Sequence, residues 1–318
     1  MSVITIMLVL KHGRRGVFFF RSALIFGMAA IALLLGARTE LLADGVERPF
    51  RLAFTSSMFT EVNENDARAA MKVWFMTVAQ EQGITVDPDP NIHRTVEDLI
   101  RFARGNPVDG LGVTTPEYLA LSREISFDLF ATGSTEGRIT EEYLLLVRKD
   151  RGFDRLDQLA GRTLGVVDNP RMSLALIWLD TVLLEAKLKR SSDFFRQVTL
   201  DRKVSQAVLP VFFGKIEACL VTKDCFEVMS ELNPQLKQQL RILNASPPLV
   251  PAGFFFLKDS KSASRTRILD AITRLGDTPA GRQIIELAQA EKIDGYEIHC
   301  LDKSLELLNR HRRLLRNQ

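Results

Sequence analysis

From Arg51 onward the chain alternates short apolar runs with longer stretches whose apolar residues recur at helical spacing. No other feature restricts the fold as strongly, because strands joined through helical crossovers pair in parallel. Arg51–Phe54 reads as a strand, and Val62–Gln82 as a helix with Ala67, Ala70, Met71, Trp74, Phe75 and Val78 on one face. Gly83 ends that helix and Ile84–Val86 is the next strand. Thr95–Arg104 follows as a helix and Val108–Val113 as a strand. Thr114, Pro116 and Glu117 then open another helix, the Thr and Glu as a capping box with Pro in the first turn.

The alternation restarts at Glu142–Arg148 and continues through strands at Thr163–Val167, Phe194–Leu200 and Ala218–Val221. Helices are expected over 172–187, 204–213 and 226–231. Past Arg241–Ala245 and the proline-rich Ser246–Pro251, a strand at Gly253–Leu257 leads to terminal helices over 263–276, 279–290 and 303–315. The fold class is α/β, and 318 residues suffice for two such units.

Charge divides the chain unevenly. Five of the 42 basic residues and one of the 39 acidic ones precede residue 44, so the remainder carries a net −1. A near-neutral body excludes wrapping of nucleic acid by phosphate neutralisation. Lys11, Arg14, Arg15 and Arg21 precede Ser22–Gly36, a stretch without charge. That is the form of a secretory signal, with an uncleaved anchor as the other reading of residues 1–43, and it places the mature protein in the periplasm. An oxidising compartment permits a Cys219–Cys225 bridge; two thiols, at a strand end and a helix start, are the alternative. His12, His93, His299 and His311 are scattered and none stands at ligand spacing from a cysteine, so no metal site is expected.

The motifs of catalysis and cofactor binding are missing: no G-x-S-x-G, no G-x-G-x-x-G after the first strand, no Walker loop, no H-E-x-x-H. What recurs is a polar turn between a strand and a helix, at Thr55-Ser56-Ser57, at Thr114-Thr115, at Asp168–Ser173 and, more weakly, at Thr222–Asp224. In open α/β sheets ligands sit at the carboxyl ends of the strands, where amides and hydroxyls receive an oxyanion. Each turn also has a simpler use, capping its own helix.

Arg162–Asp180, Lys203–Val221 and Val108–Leu119, with Met229–Leu236 and Thr278–Arg282, resemble segments of phosphate/phosphonate-type periplasmic solute-binding proteins of ABC importers, over about 50–297. The resemblance implies the two-lobed type II binding-protein fold, each lobe a mostly parallel sheet flanked by helices, joined by two crossing strands. Lobe 1 would comprise 49–138 plus 246–318, and lobe 2 would comprise 139–245. By position, the ligand contacts would be Thr55, Ser56, Thr114, Thr115, Arg171, Ser173, Lys203 and Ser205. Where relatives carry a Ser/Gly-rich turn, this chain has Asn169–Ser173: Pro170 removes an amide donor and Arg171 adds a cation.

The resemblance therefore implies a monomeric, non-enzymatic protein, without cofactor, that captures a small oxyanion such as phosphate or phosphonate for a membrane permease. A ligand-sensing protein that docks on a membrane receptor or sensor kinase is the alternative.

Overall fold

The structure is a computed structural model, and it describes residues 48–317 apart from 61–62 and 261–263. The export-type segment 1–43 lies outside the described residues. Among the described residues no helix is long and apolar enough to cross a membrane.

The first sheet begins with β1 (Leu52–Thr55), β2 (Ile92–His93), β3 (Gly110–Thr114) and β4 (Phe127–Ser134). The second takes β5 (Tyr143–Arg148), β6 (Thr163–Val167), β7 (Gln197–Asp201), β8 (Ala218–Thr222) and β9 (Leu240–Ala245). The chain then returns to the first sheet with β10 (Ala252–Leu257) and β11 (Lys292–Glu297). The strand orders are β2-β1-β3-β10-β4-β11 and β7-β6-β8-β5-β9. In each sheet a parallel trio, β2-β1-β3 or β7-β6-β8, has its earliest strand in the middle. Each trio is flanked by a strand running the other way, β10 or β5. Two units of one design therefore exchange the chain twice, the two-lobed architecture expected above.

Local chemistry explains the elements that carry this frame. The helix Glu64–Gln82 is capped by Asn63, whose side chain accepts the Asn65 amide, and it stops at Gly83 with φ +61°. It buries Ala67, Met71, Trp74, Phe75 and Val78 against the first sheet. The opposite face of that sheet is covered by Leu99, Tyr118, Leu121 and Leu301. Tyr118, Phe255 and Phe130 stack in succession, with centroids 4.3 and 5.5 Å apart. The second core is mainly aliphatic, built from Leu144–Val147, Val166, Leu179, Leu183, Val208 and Leu220.

Three differences from the sequence reading have physical causes. β4 and β11 escape detection because half-exposed polar residues and a glycine interrupt each one. Val86 contributes only an isolated bridge to Phe50, and the outer parallel neighbour of β1 is the two-residue β2. The terminal helix Asp302–Arg316, assigned above to the first lobe, straddles both: Ser304 Oγ accepts the Val250 amide at 2.8 Å, while Leu307 and Leu308 join the second core. It packs along the helix Ala175–Glu185, where Arg310 pairs with Glu185 and His311 Nε2 stands 3.8 Å from Asp180.

The crossings lie between β4 and β5 and between β9 and β10. They are tied together by a reciprocal backbone pair, Glu141 N–H to Leu249 O at 2.7 Å and Leu249 N–H to Glu141 O at 3.0 Å. The Cys219–Cys225 bridge is not formed. Cys219 is wholly buried within β8, and Cys225 sits in the first turn of the helix Lys223–Leu232, where its amide donates to Thr222.

Candidate functional site

A pocket of about 120 Å³ opens between the sheets beside the crossings. Its charged wall is Arg138, Glu141, Arg171 and Asp224, and its apolar wall includes Met58 and Phe254. Glu141 is fixed by its crossing-segment backbone pair. Arg171 rides on a tight turn, Pro170–Met172, in which Asn169 caps the Met172 amide and Pro170 supplies the preset first position. Asp224 is held in the first turn of the helix that Thr222 caps.

These four groups form a chain of charges. Arg138 Nη2 lies 3.2 Å from Asp224 Oδ1, Asp224 Oδ2 lies 3.8 Å from Arg171 Nη2, and Arg171 Nε donates to Glu141 Oε1 at 2.5 Å. Burial pushes the Glu141 carboxyl above its usual range, against the opposing pull of Arg171. Met58, on the turn Ser56–Phe59 of the first lobe, and Pro170 and Arg171, on the turn Pro170–Met172 of the second, line the same pocket.

Of the eight candidate ligand residues, Arg171 lines this pocket. The others are engaged elsewhere or placed apart. Thr55 Oγ1 and Thr114 Oγ1 each donate to Glu117 Oε2 at 2.8 Å. Thr115 Oγ1 donates to Val250 O and Ser173 Oγ to Pro251 O, both at 2.7 Å, which ties each lobe to the β9–β10 crossing. Ser56 Oγ reaches Arg94 O at 3.5 Å. Lys203 is exposed and Ser205 half-buried at the start of the helix Val204–Phe212. Hydroxyls at strand ends thus meet internal acceptors instead of converging on one donor shell.

Sequence reasoning overlooked Arg138 and Glu141 as pocket residues and treated Glu117 as a cap alone. The available signal was position: charges placed in a predicted crossing segment cannot retreat to an ordinary solvated helix face. Among the described residues no cluster of His, Cys, Asp and Glu suits a metal ion.

Residues 57–298 match the family model described as ABC transporter, phosphonate, periplasmic substrate-binding protein. Among solved structures, the chain is similar to the binding-protein component of an ABC phosphonate transporter from Pseudomonas aeruginosa. That pair shares 14% identity and a TM-score of 0.56, covering 84% of this chain and 88% of that one. A Prochlorococcus marinus protein in complex with methylphosphonate shares 12% identity and a TM-score of 0.55, covering 83% and 100%. A Xanthomonas citri protein bound to chloride shares 14% identity and a TM-score of 0.58, covering 85% and 99%. These likenesses concern the fold. No curated protein matches the chain.

Proposed function

The chain belongs to the periplasmic substrate-binding family of ABC phosphonate transporters, and from that premise we propose that it captures a small oxyanion in the pocket beside its crossings and hands it to a membrane permease. The observation that carries this reading is Arg171, a guanidinium only 22% exposed that faces the pocket from the second lobe. A second cation, Arg138, stands on the same wall.

Binding exchanges one anion for another. Glu141 pairs with Arg171, and an arriving oxyanion competes with that carboxylate for the guanidinium. A planar guanidinium offers two parallel N–H donors to such a group. The ligand favours the closed arrangement by touching both lobes, since only differential affinity shifts such an equilibrium. The protein acts as a monomer without catalysis, exported by residues 1–43.

A thermal-shift screen of the mature protein against phosphate, alkylphosphonates, sulfonates and carboxylates tests this. A ligand at 100 times its dissociation constant adds about 2.7 kcal/mol to stability. The expected result is a selective rise in melting temperature with a phosphorus oxyanion that disappears in Arg171→Ala. A rise that persists undiminished in Arg171→Ala removes the pocket assignment, and silence with every anion removes the oxyanion reading.

A further inference from the structure

The end of the terminal helix carries cations that the fold leaves without partners. Past Glu306 the sequence has Arg310, Arg312, Arg313 and Arg316 and no further carboxylate. Among the described residues the ion pairs of this stretch are Arg310 with Glu185 and His311 with Asp180, which leaves Arg312, Arg313 and Arg316 unpaired. Arg316 follows Arg312 at i+4 and Arg313 at i+3, the spacing of neighbours on one helix surface. Another guanidinium comes from outside the helix. Arg123, exposed just past the helix Thr115–Leu121, is near enough to Arg312 to repel it. Burial, and then the like charges of Arg123 and Arg316, push the Arg312 guanidinium below its usual value. Lys187 and Lys189, exposed past the end of the helix Ala175–Glu185 that Arg310 contacts, extend the positive field.

Cations in a last helical turn complement the helix dipole, which accounts for Arg313 and Arg316. The dipole does not account for Arg123, which belongs to another element, or for like charges held together. A partner of opposite charge offsets their repulsion. Specific protein interfaces centre on an aromatic or aliphatic anchor that the partner buries. Among the described residues the terminal helix exposes no large apolar side chain, and Leu314 and Leu315 are already half-buried. A charged face without an anchor suits a partner that presents dense phosphate and no fixed relief, the headgroup layer of a bilayer. Residues 1–43 have the sequence form of a segment that takes the chain to such a layer.

We propose that the face carrying Arg123, Arg312, Arg313 and Arg316 is a docking surface for a bilayer containing anionic phospholipid. The contact is electrostatic and reversible: guanidinium groups engage headgroup phosphates without entering the hydrocarbon, and salt weakens the contact by screening it. None of the four lines the pocket, so a docked protein still takes up its solute, and docking holds it near the membrane that contains its permease. The inference does not depend on which solute the pocket receives.

Vesicle co-sedimentation tests this. Both sheets and all the cores lie within residues 48–317, so the mature protein is used and the apolar stretch of residues 1–43 adds no binding of its own. One set of vesicles is phosphatidylcholine alone; in the other about a third of the lipid is phosphatidylglycerol. At about 0.05 M salt the protein is expected to favour the anionic vesicles at least tenfold, and at about 0.5 M salt to lose that preference. Replacing Arg123, Arg312, Arg313 and Arg316 together by Gln is expected to bring binding down to the phosphatidylcholine level. A control removes the same charge elsewhere, with Gln at the exposed Lys72, Arg94, Arg202 and Lys215, and is expected to keep most of the preference. A cooperative melt confirms that each variant is folded. A wild type that binds neither vesicle, or both equally, overturns the proposal, and the first result leaves an acidic protein as the partner of this face. A four-arginine variant that binds as the wild type does, or a control that loses as much as that variant, overturns it as well.

Discussion

The two lobes share a strand order and differ in how their facing ends are finished. At the first lobe, Thr55, Ser57 and Thr114 close around Glu117. At the second, Arg171 and Asp224 stand at the pocket with an ion-pair chain that runs back into the crossing segment. Their interiors differ as well, the first rich in stacked rings and the second in branched aliphatics. The lesson concerns which parts of a duplicated design are interchangeable. Either kind of apolar filling supports the same sheet, whereas the polar finish at the strand ends decides what each half can contact.

The largest expected effect probes the interiors. Phe255→Ala removes a ring wholly buried between Tyr118 and Phe130 and is expected to cost about 3–5 kcal/mol, against about 2–5 kcal/mol for Leu220→Ala in the second core. Chemical denaturation of both variants should still show one transition, because the terminal helix roots in both lobes. Two resolved transitions in Phe255→Ala would break the picture of coupled halves.

Arg171→Ala comes next and sharpens the contrast at the facing ends. It leaves Glu141 buried beside the crossing without its cation, a loss of about 2 kcal/mol at neutral pH. The sign with pH follows from the upward shift of Glu141. A carboxyl whose folded value lies above its unfolded one binds protons preferentially in the folded state. The deficit of the variant should therefore shrink as pH falls through the folded value of Glu141, as urea titrations at several pH values can establish. A deficit independent of pH contradicts the assignment.

Glycines within parallel strands of the two sheets give a third comparison. In β3, a Cβ on Gly112 would lie 2.4 Å from a ring carbon of Phe54, whereas in β6 a Cβ on Gly165 meets the mobile end of Ile216 at 3.1 Å. Gly112→Ala should cost about 1–3 kcal/mol by overpacking and Gly165→Ala clearly less. Equal losses would show that the second core is as unyielding as the first.

Smallest is Asp180→Asn, at about 0.5–1 kcal/mol near neutral pH. Burial acts to raise the Asp180 carboxyl, but His311 and the Ser191 amide outweigh it and hold it below its usual value. Such a group stabilises above its unfolded pKa, and the stabilisation disappears as pH falls through its lower folded value. The variant should thus differ from the parent near neutrality and converge with it in acid.

Much of this was legible in the alternation of strands and helices, since a sheet buried on both faces demands continuous apolar runs such as Tyr143–Val147 and Thr163–Val167. β11 was not, because a strand at the sheet edge with one buried residue, Ile293, has no such demand on it. At the site, Arg171 could be picked out because a cation in a strand-end turn is conspicuous. Glu117 could not be assigned its partners: the capping pattern fixes its bond to Thr114, but its bonds to Thr55 and Ser57 bridge residues some sixty positions apart in the sequence. Local pattern specifies the cap, and only the parallel pairing of β1 with β3 brings those hydroxyls to it.

The terminal helix has a consequence for affinity. Two crossings already tether the lobes, and this third connection, anchored at Ser304 on one side and Leu307 on the other, holds them at high effective concentration for each other. Much of the translational and rotational freedom that two separate bodies would surrender on joining is thus removed when the chain folds, before any solute arrives. A solute small enough for a pocket of about 120 Å³ makes few contacts, and with the lobes tethered in advance a few well-aimed hydrogen bonds are enough to hold it.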